Sequence, residues 1–213
     1  MDNNLKTVID MRIKRTMDNL IKNNMDAFYA EDESKVLEKV KELLNDGDTV
    51  SVGGSMSLFE TGVIDYLRCG KYNFLDRYEN GLDAEGLKAV FRKSFFADAY
   101  FTSSNAVTEN GELYNVDGLG NRTAAMIYGP DKVIVIVGVN KIVSDSEAAI
   151  ERNRNCAAPA NAIRLDRNTP CAKVGYCMDC SSAERICNSY VLIGRQAVKG
   201  RIKVIIVGKD YGY

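Results

Sequence analysis

The chain has no histidine and no tryptophan, only three prolines, and a formal net charge of −1 from 28 basic and 29 acidic residues. Without imidazole, metal ligation and acid–base chemistry fall to thiolates and carboxylates. So few prolines leave no linker to mark a domain boundary, and residues 1–213 read as one domain, large enough to bury a core without disulfides. Balanced charge with no concentrated run of Lys and Arg speaks against a nucleic-acid partner. The longest apolar run, Val133 to Val139, is far too short to cross a bilayer. With a charged start, MDNNLKTVIDMRIKR, the expectation is a cytoplasmic protein without a membrane partner.

Apolar residues at three- and four-residue steps from Leu5 to Ile21 predict a long amphipathic helix over the first 22 residues, packed across the core. Ser34 to Leu44 repeats the pattern and stops at Asn45-Asp46-Gly47. Strands are expected at 49–52, 72–75, 99–102, 133–139, 190–193 and 202–207, and helices at 84–96 and 144–154. The run at 133–139 is β-branched throughout, as in a strand buried on both faces. The fold class is therefore α/β, an open, mainly parallel sheet flanked by helices. Three segments follow: an N-terminal helix at 1–24, an α/β core at 25–165, and a Cys-rich segment with the final strands at 166–213.

Four places carry candidate chemistry. After the first core strand, Gly53-Gly54-Ser55-Met56-Ser57 leads into a helix, the arrangement that turns free backbone N–H groups toward an anion. Gly53 and Gly54 would admit the ligand, and Ser55 and Ser57 would add hydroxyls. A tight turn with a Ser N-cap and no ligand fits the same residues. In the polar stretch from Thr108 to Arg122, Glu109 or Asp117 would serve as nucleophile or general base. Asn121 and Arg122 would bind a carboxylate or phosphate. The alternative is a plain hairpin, with Asn110-Gly111 as a type I′ turn and a second turn at Asp117-Gly118. Arg152, Arg154 and Arg164, beside a proline-bounded break, would pair with an anion or with Glu109 and Asp117.

The fourth place is the cysteines. Six thiols in a cytoplasmic chain speak for metal or redox chemistry before disulfides. Cys171, Cys177, Cys180 and Cys187 have the spacing C-x5-C-x2-C-x6-C. With a single CxxC this is not a zinc ribbon, yet four thiolates suit either an iron–sulfur cluster or zinc. Packed thiols and a redox pair at Cys177 and Cys180 are the alternatives. Cys69, alone in YLRCGKY, reads as a helix-end packing residue.

The segments GGSMSLFETGV, SSNAVTENGELYNVDGLGNR, GPDKVIVIVGVNKIV, RNRNCAAPANAIRL and TPCAKVGYCMDCSSAERIC resemble the LUD-domain (lactate utilisation) family over nearly the whole chain after about residue 20. The resemblance implies a fold like that of the NagB/RpiA/CoA-transferase group. It also implies a role in L-lactate or other 2-hydroxy-acid metabolism, beside iron–sulfur subunits of lactate oxidation as partners. The anionic metabolite would then lie between the Gly53-Gly54-Ser55 turn and the Glu109–Arg122 loop. A second hypothesis rests on Thr108-Glu109-Asn110-Gly111, similar to the Ser-Glu-Asn-Gly motif of class I CoA transferases, whose glutamate forms a thioester. It gives acyl or phosphosugar chemistry at Glu109, without the second subunit-sized half those enzymes use. A third is a non-catalytic partner whose cysteines hold a cluster or zinc and dock on an electron-transfer subunit. A homodimer is an open assembly for each.

Overall fold

A computed structural model describes residues 2–213. Its centre is a six-stranded, all-parallel sheet in the order β1-β10-β7-β4-β2-β3. These strands are β1 (Asp26–Ala30), β2 (Thr49–Val52), β3 (Asn73–Leu75), β4 (Ala99–Thr102), β7 (Val133–Gly138) and β10 (Ile202–Val207). A second, four-stranded sheet runs β8-β5-β6-β9, formed by β5 (Ala106–Thr108), β6 (Leu113–Asp117), β8 (Ile142–Val143) and β9 (Ser189–Ile193).

The β-branched run explains the layering. Alternate side chains of a strand point to opposite faces. Ile134 and Ile136 of β7 therefore enter one core with Val36, Val40, Leu58, Ile64 and Leu67. Those residues come from α2 (Glu33–Leu43), α3 (Met56–Glu60) and α4 (Val63–Leu67). Val133, Val135 and Val137 enter the opposite core with Ile13, Leu20, Val107, Leu113 and Met126. That face is covered by α1 (Asn3–Lys22), the second sheet and α6 (Asn121–Tyr128). Each fully buried side chain of this kind contributes about 1.5–3 kcal/mol.

Several expectations need correction. Helix α1 forms and is capped by Asp2, but it packs on the core only from Ile9 onward, through Ile9, Ile13, Thr16, Met17 and Leu20; Leu5, Val8 and Met11 are exposed. Although β9 and β10 adjoin in sequence, they join different sheets, and β10 lies inside the main sheet between the edge strand β1 and β7. The helix expected at 144–154 begins as α7 (Ser146–Arg152), then passes through a π turn at Asn153–Ala157 into α8 (Ala158–Arg164). Cys69 follows the Arg68 cap of α4 and is exposed rather than packed. The Thr108–Glu112 hairpin is real, yet its turn is not type I′, which needs positive φ at both central residues. Only Gly111 has it (φ 78°), and the Gly111 N–H donates to the Thr108 carbonyl. This is a three-residue turn ending in a left-handed glycine. A Cβ at Gly111 would lie 2.4 Å from the Asn19 backbone, so the glycine is what lets the turn seat against α1.

Candidate functional site

From β2 the chain passes to β3 on one side and returns to β4 on the other, which makes the gap between the β2 and β4 loops the topological switch point of the sheet. Gly53-Gly54-Ser55 follows β2, at the carboxyl end anticipated for it, and Ser103-Ser104-Asn105 follows β4. Together they open on a cleft of about 550 Å³ whose walls include Arg77, Asn121, Lys141 and Arg164.

The glycines serve different purposes. A Cβ at Gly53 would meet the Arg122 side chain and Thr102 Oγ1 at 3.0 Å, so its bareness is a packing requirement. At Gly54 a Cβ would stand 3.4 Å from Nη1 of Arg77. The missing side chain thus leaves a guanidinium facing open main chain. Arg77 is half-buried and stacked over Phe91, 4.7 Å from the ring centroid, and no carboxylate among the described residues forms an ion pair with it. Ser55 lines the same cleft, and its buried hydroxyl has no partner among the described residues. Such an unmade hydrogen bond costs about 1–3 kcal/mol.

Arg122 and Asp117 are brought together, but with each other. Asn115 and Asp117 lie two apart on β6 and share a face. Arg122 Nε donates to Asp117 Oδ1 at 2.8 Å and Nη1 to Asn115 Oδ1 at 2.6 Å. The remaining donors go to the Ser103 carbonyl, Asn105 Oδ1 and the Val116 carbonyl. Asp117 Oδ2 accepts from the Thr123 backbone N–H at 2.9 Å, capping α6. Every guanidinium N–H is engaged, so Arg122 has none left for an anion. The pair, with side chains 10% and 7% exposed, fixes the floor of the cleft. Asn121 stands on the cleft wall. Ser57 is fully buried behind the wall, where Lys141 Nζ donates to its hydroxyl. Arg164 reaches the cleft, whereas Arg152 is spent on the carbonyls of Asn140 and Asn105.

Glu109 is elsewhere. Its carboxylate pairs with Arg12 at 2.7 Å and with Arg15, both on α1, and its carbonyl accepts from Asn19. Burial pushes this carboxyl up, but the guanidinium groups of Arg15 and Arg12 outweigh it and hold the group below its ordinary range. The expected shared pocket of Glu109 and the glycine turn is therefore not formed: the Thr108–Gly111 turn docks α1.

All four clustered cysteines line one small cavity of about 20 Å³ with Ala158, Thr169, Met178, Arg185 and Ile186. Cys171 is buried at the start of α9 (Pro170–Val174), and the other three are partly exposed. Burial, then the neighbouring Cys171 and Cys177, push the Cys187 thiol up to about 11. Arg185 staples the loop by donating to the carbonyls of Cys180 and Cys187. Among the described residues no three His, Cys, Asp or Glu side chains stand as a metal-holding group. Holding one ion would require the sulfurs to draw in around the cavity they share.

The LUD domain model matches residues 13–207. This chain belongs to the LUD-domain family. Among solved structures it is similar to a DUF162-family protein from Deinococcus radiodurans, with a TM-score of 0.55, 17% identity, and 94% of this chain and 98% of the other covered. At that identity the likeness shows the fold alone. Weaker likenesses are to eIF2B delta from Chaetomium thermophilum (TM-score 0.37, 23% identity, 56% and 50% covered) and to the eIF2B-beta2-delta2 complex of C. thermophilum (0.43, 18%, 82% and 55%). None of the curated proteins matches it. Membership of the LUD family supports a lactate-utilisation type of function at family level.

In this LUD domain the sequence reading missed Arg77, Ser103 and Lys141. Arg77 sits in irregular chain after β3, with no motif around it, and Lys141 reads as a surface residue in GVNKIV. A signal for Lys141 was available: it lies in the short turn just past the carboxyl end of a strand that the sequence marks as central. Glu109→Gln offers a test of the reassigned hairpin. Both arginine partners are substantially exposed, so the loss should be about 1 kcal/mol of stability, with no change in anion binding. Because the Glu109 pKa is lowered on folding, its contribution is present above the ordinary carboxyl range and disappears as pH falls through the folded value. Urea melts from pH 7 down into the acid range should show the gap between wild type and variant narrowing as the carboxyl takes up its proton. Loss of ligand binding in this variant would restore Glu109 to the site.

Proposed function

We propose that this LUD domain binds a small organic anion at the β2–β4 switch point, as part of lactate or related 2-hydroxy-acid utilisation. The observation that carries the reading is Arg77, a half-buried guanidinium without a carboxylate partner, held over the bare main chain of Gly54 beside the unpartnered Ser55 hydroxyl. Calorimetric titration with L-lactate and with pyruvate tests it. Arg77→Ala removes a charge-assisted contact and should weaken binding by about 1.5–3 kcal/mol. Gly54→Val should block approach to the backbone and act in the same direction. If both variants fold and bind as wild type does, or if neither acid binds, the reading fails.

A second reading concerns the shared cavity of Cys171, Cys177, Cys180 and Cys187. We propose that these thiols draw in around that cavity to hold zinc or an iron–sulfur cluster, since thiolates are donors that either occupant takes. Metal analysis and an absorption spectrum of anaerobically prepared protein separate the two occupants. Metal-free protein from such a preparation counts against both.

A further inference from the structure

Lys141 follows β7 in a short turn, Val139–Lys141, and its side chain runs inward. The residue is 3% exposed, yet it lines the cleft. Nζ lies 3.0 Å from Ser57 Oγ and 3.1 Å from Ser103 Oγ, and no ion pair joins it to a carboxylate among the described residues. Ser103 lines the cleft beside it. This is an unusual place for a lysine, which seldom lies fully buried without an acidic partner. A structural lysine would hold a carboxylate; this one is held by two hydroxyls, each able to donate as well as accept.

We propose that Lys141 is a catalytic amine that forms an imine with a 2-oxo acid bound in the cleft. The inference rests on the anion-binding reading: Arg77 and Arg164 would take the carboxylate, which sets the adjacent carbonyl toward the base of the cleft. In the step, the neutral Nζ lone pair attacks C2, a C–N bond forms, and the carbonyl π electrons move to oxygen. Both amine protons pass to that oxygen, with the Ser103 hydroxyl as the relay. The C–O bond then breaks, water leaves, and a C=N bond remains. No oxidant or reductant is needed.

Burial, joined by neighbouring cations, favours the neutral amine that the attack requires. Burial is the largest cause, then repulsion from Arg152 and Arg122; Glu60 and Cys156 oppose them, and the net effect lowers the Lys141 pKa to about 7. An exposed lysine titrates near 10.4, so at pH 7 Lys141 holds about a thousandfold more of its population as free amine. Desolvation and neighbouring cations are the recognised routes to an activated lysine.

The test is trapping of wild-type protein with pyruvate and sodium borohydride, followed by peptide mapping, alongside calorimetry with pyruvate alone. The expected result is a reduced pyruvyl adduct on Lys141, far above that on exposed lysines. Its yield should rise with pH through about 7, and Lys141→Arg, which keeps charge and hydrogen bonding, should lose it. Pyruvate binding without an adduct on Lys141, or an adduct spread evenly over surface lysines, overturns the imine and leaves the anion-binding reading standing. Absence of both binding and adduct overturns both. The wild-type peptide map decides even if Lys141→Arg does not fold.

Discussion

Asp117→Ala should lower the unfolding free energy by about 3–5 kcal/mol, the range for removing one partner of a buried ion pair. The Arg122 guanidinium would remain buried with its charge uncompensated, since its other acceptors, Asn115, Asn105 and main-chain carbonyls, are neutral. The substitution also removes the acceptor that caps the Thr123 N–H at the start of α6, a loss of about 1 kcal/mol by itself. Urea denaturation at neutral pH measures the total. The double variant Asp117→Ala, Arg122→Met should recover part of it, because an apolar side chain of similar length leaves no buried charge behind. If Asp117→Ala costs less than about 1 kcal/mol, the pair is not the floor of the cleft, and Arg122 becomes available again as an anion ligand.

The same pair shows how far the sequence could be read. NVDGLGNR announces a polar, functional-looking loop, and it does border the cleft. Which of its groups face outward depends on β6 and α6 meeting, a contact between elements that residue types do not specify. Strand β7 is the opposite case. Its β-branched run requires burial on both faces, and both cores form around it. Helix α6 was hidden because it starts from a left-handed glycine, Gly120, and has Asn121-Arg122 in its first turn. Strand β1, DAFYA, is short and carries no alternation to mark it. Glu109 misled for a related reason: a glutamate before Asn-Gly looks available, and only the packing of α1 brings Arg12 and Arg15 onto it.

Cys180→Ser should abolish metal binding in anaerobically prepared protein and loosen residues 166–193, if the four thiols are ligands. Losing one thiolate of four removes a bond that its neighbours cannot replace, and the binding free energy of a structural site is also local folding free energy. The structure indicates where the loosening would travel. The segment has little regular structure after α9 and is held by Arg185 to the carbonyls of Cys180 and Cys187. It then leads directly into β9, which pairs along all of β6 from Leu113 to Asp117. The Asn188 N–H donates to the Asp117 carbonyl, and Gly118 packs near the Ile186 backbone. Hydrogen exchange should therefore speed up through the cysteine loop and β9, and spread weakly to the cleft rim at 117–120, while β7 and β10 stay protected. Chelation of the wild-type protein should reproduce the pattern. Equal exchange in Cys180→Ser and wild type, with neither containing metal, would leave the thiols as packing residues around a cavity they happen to share.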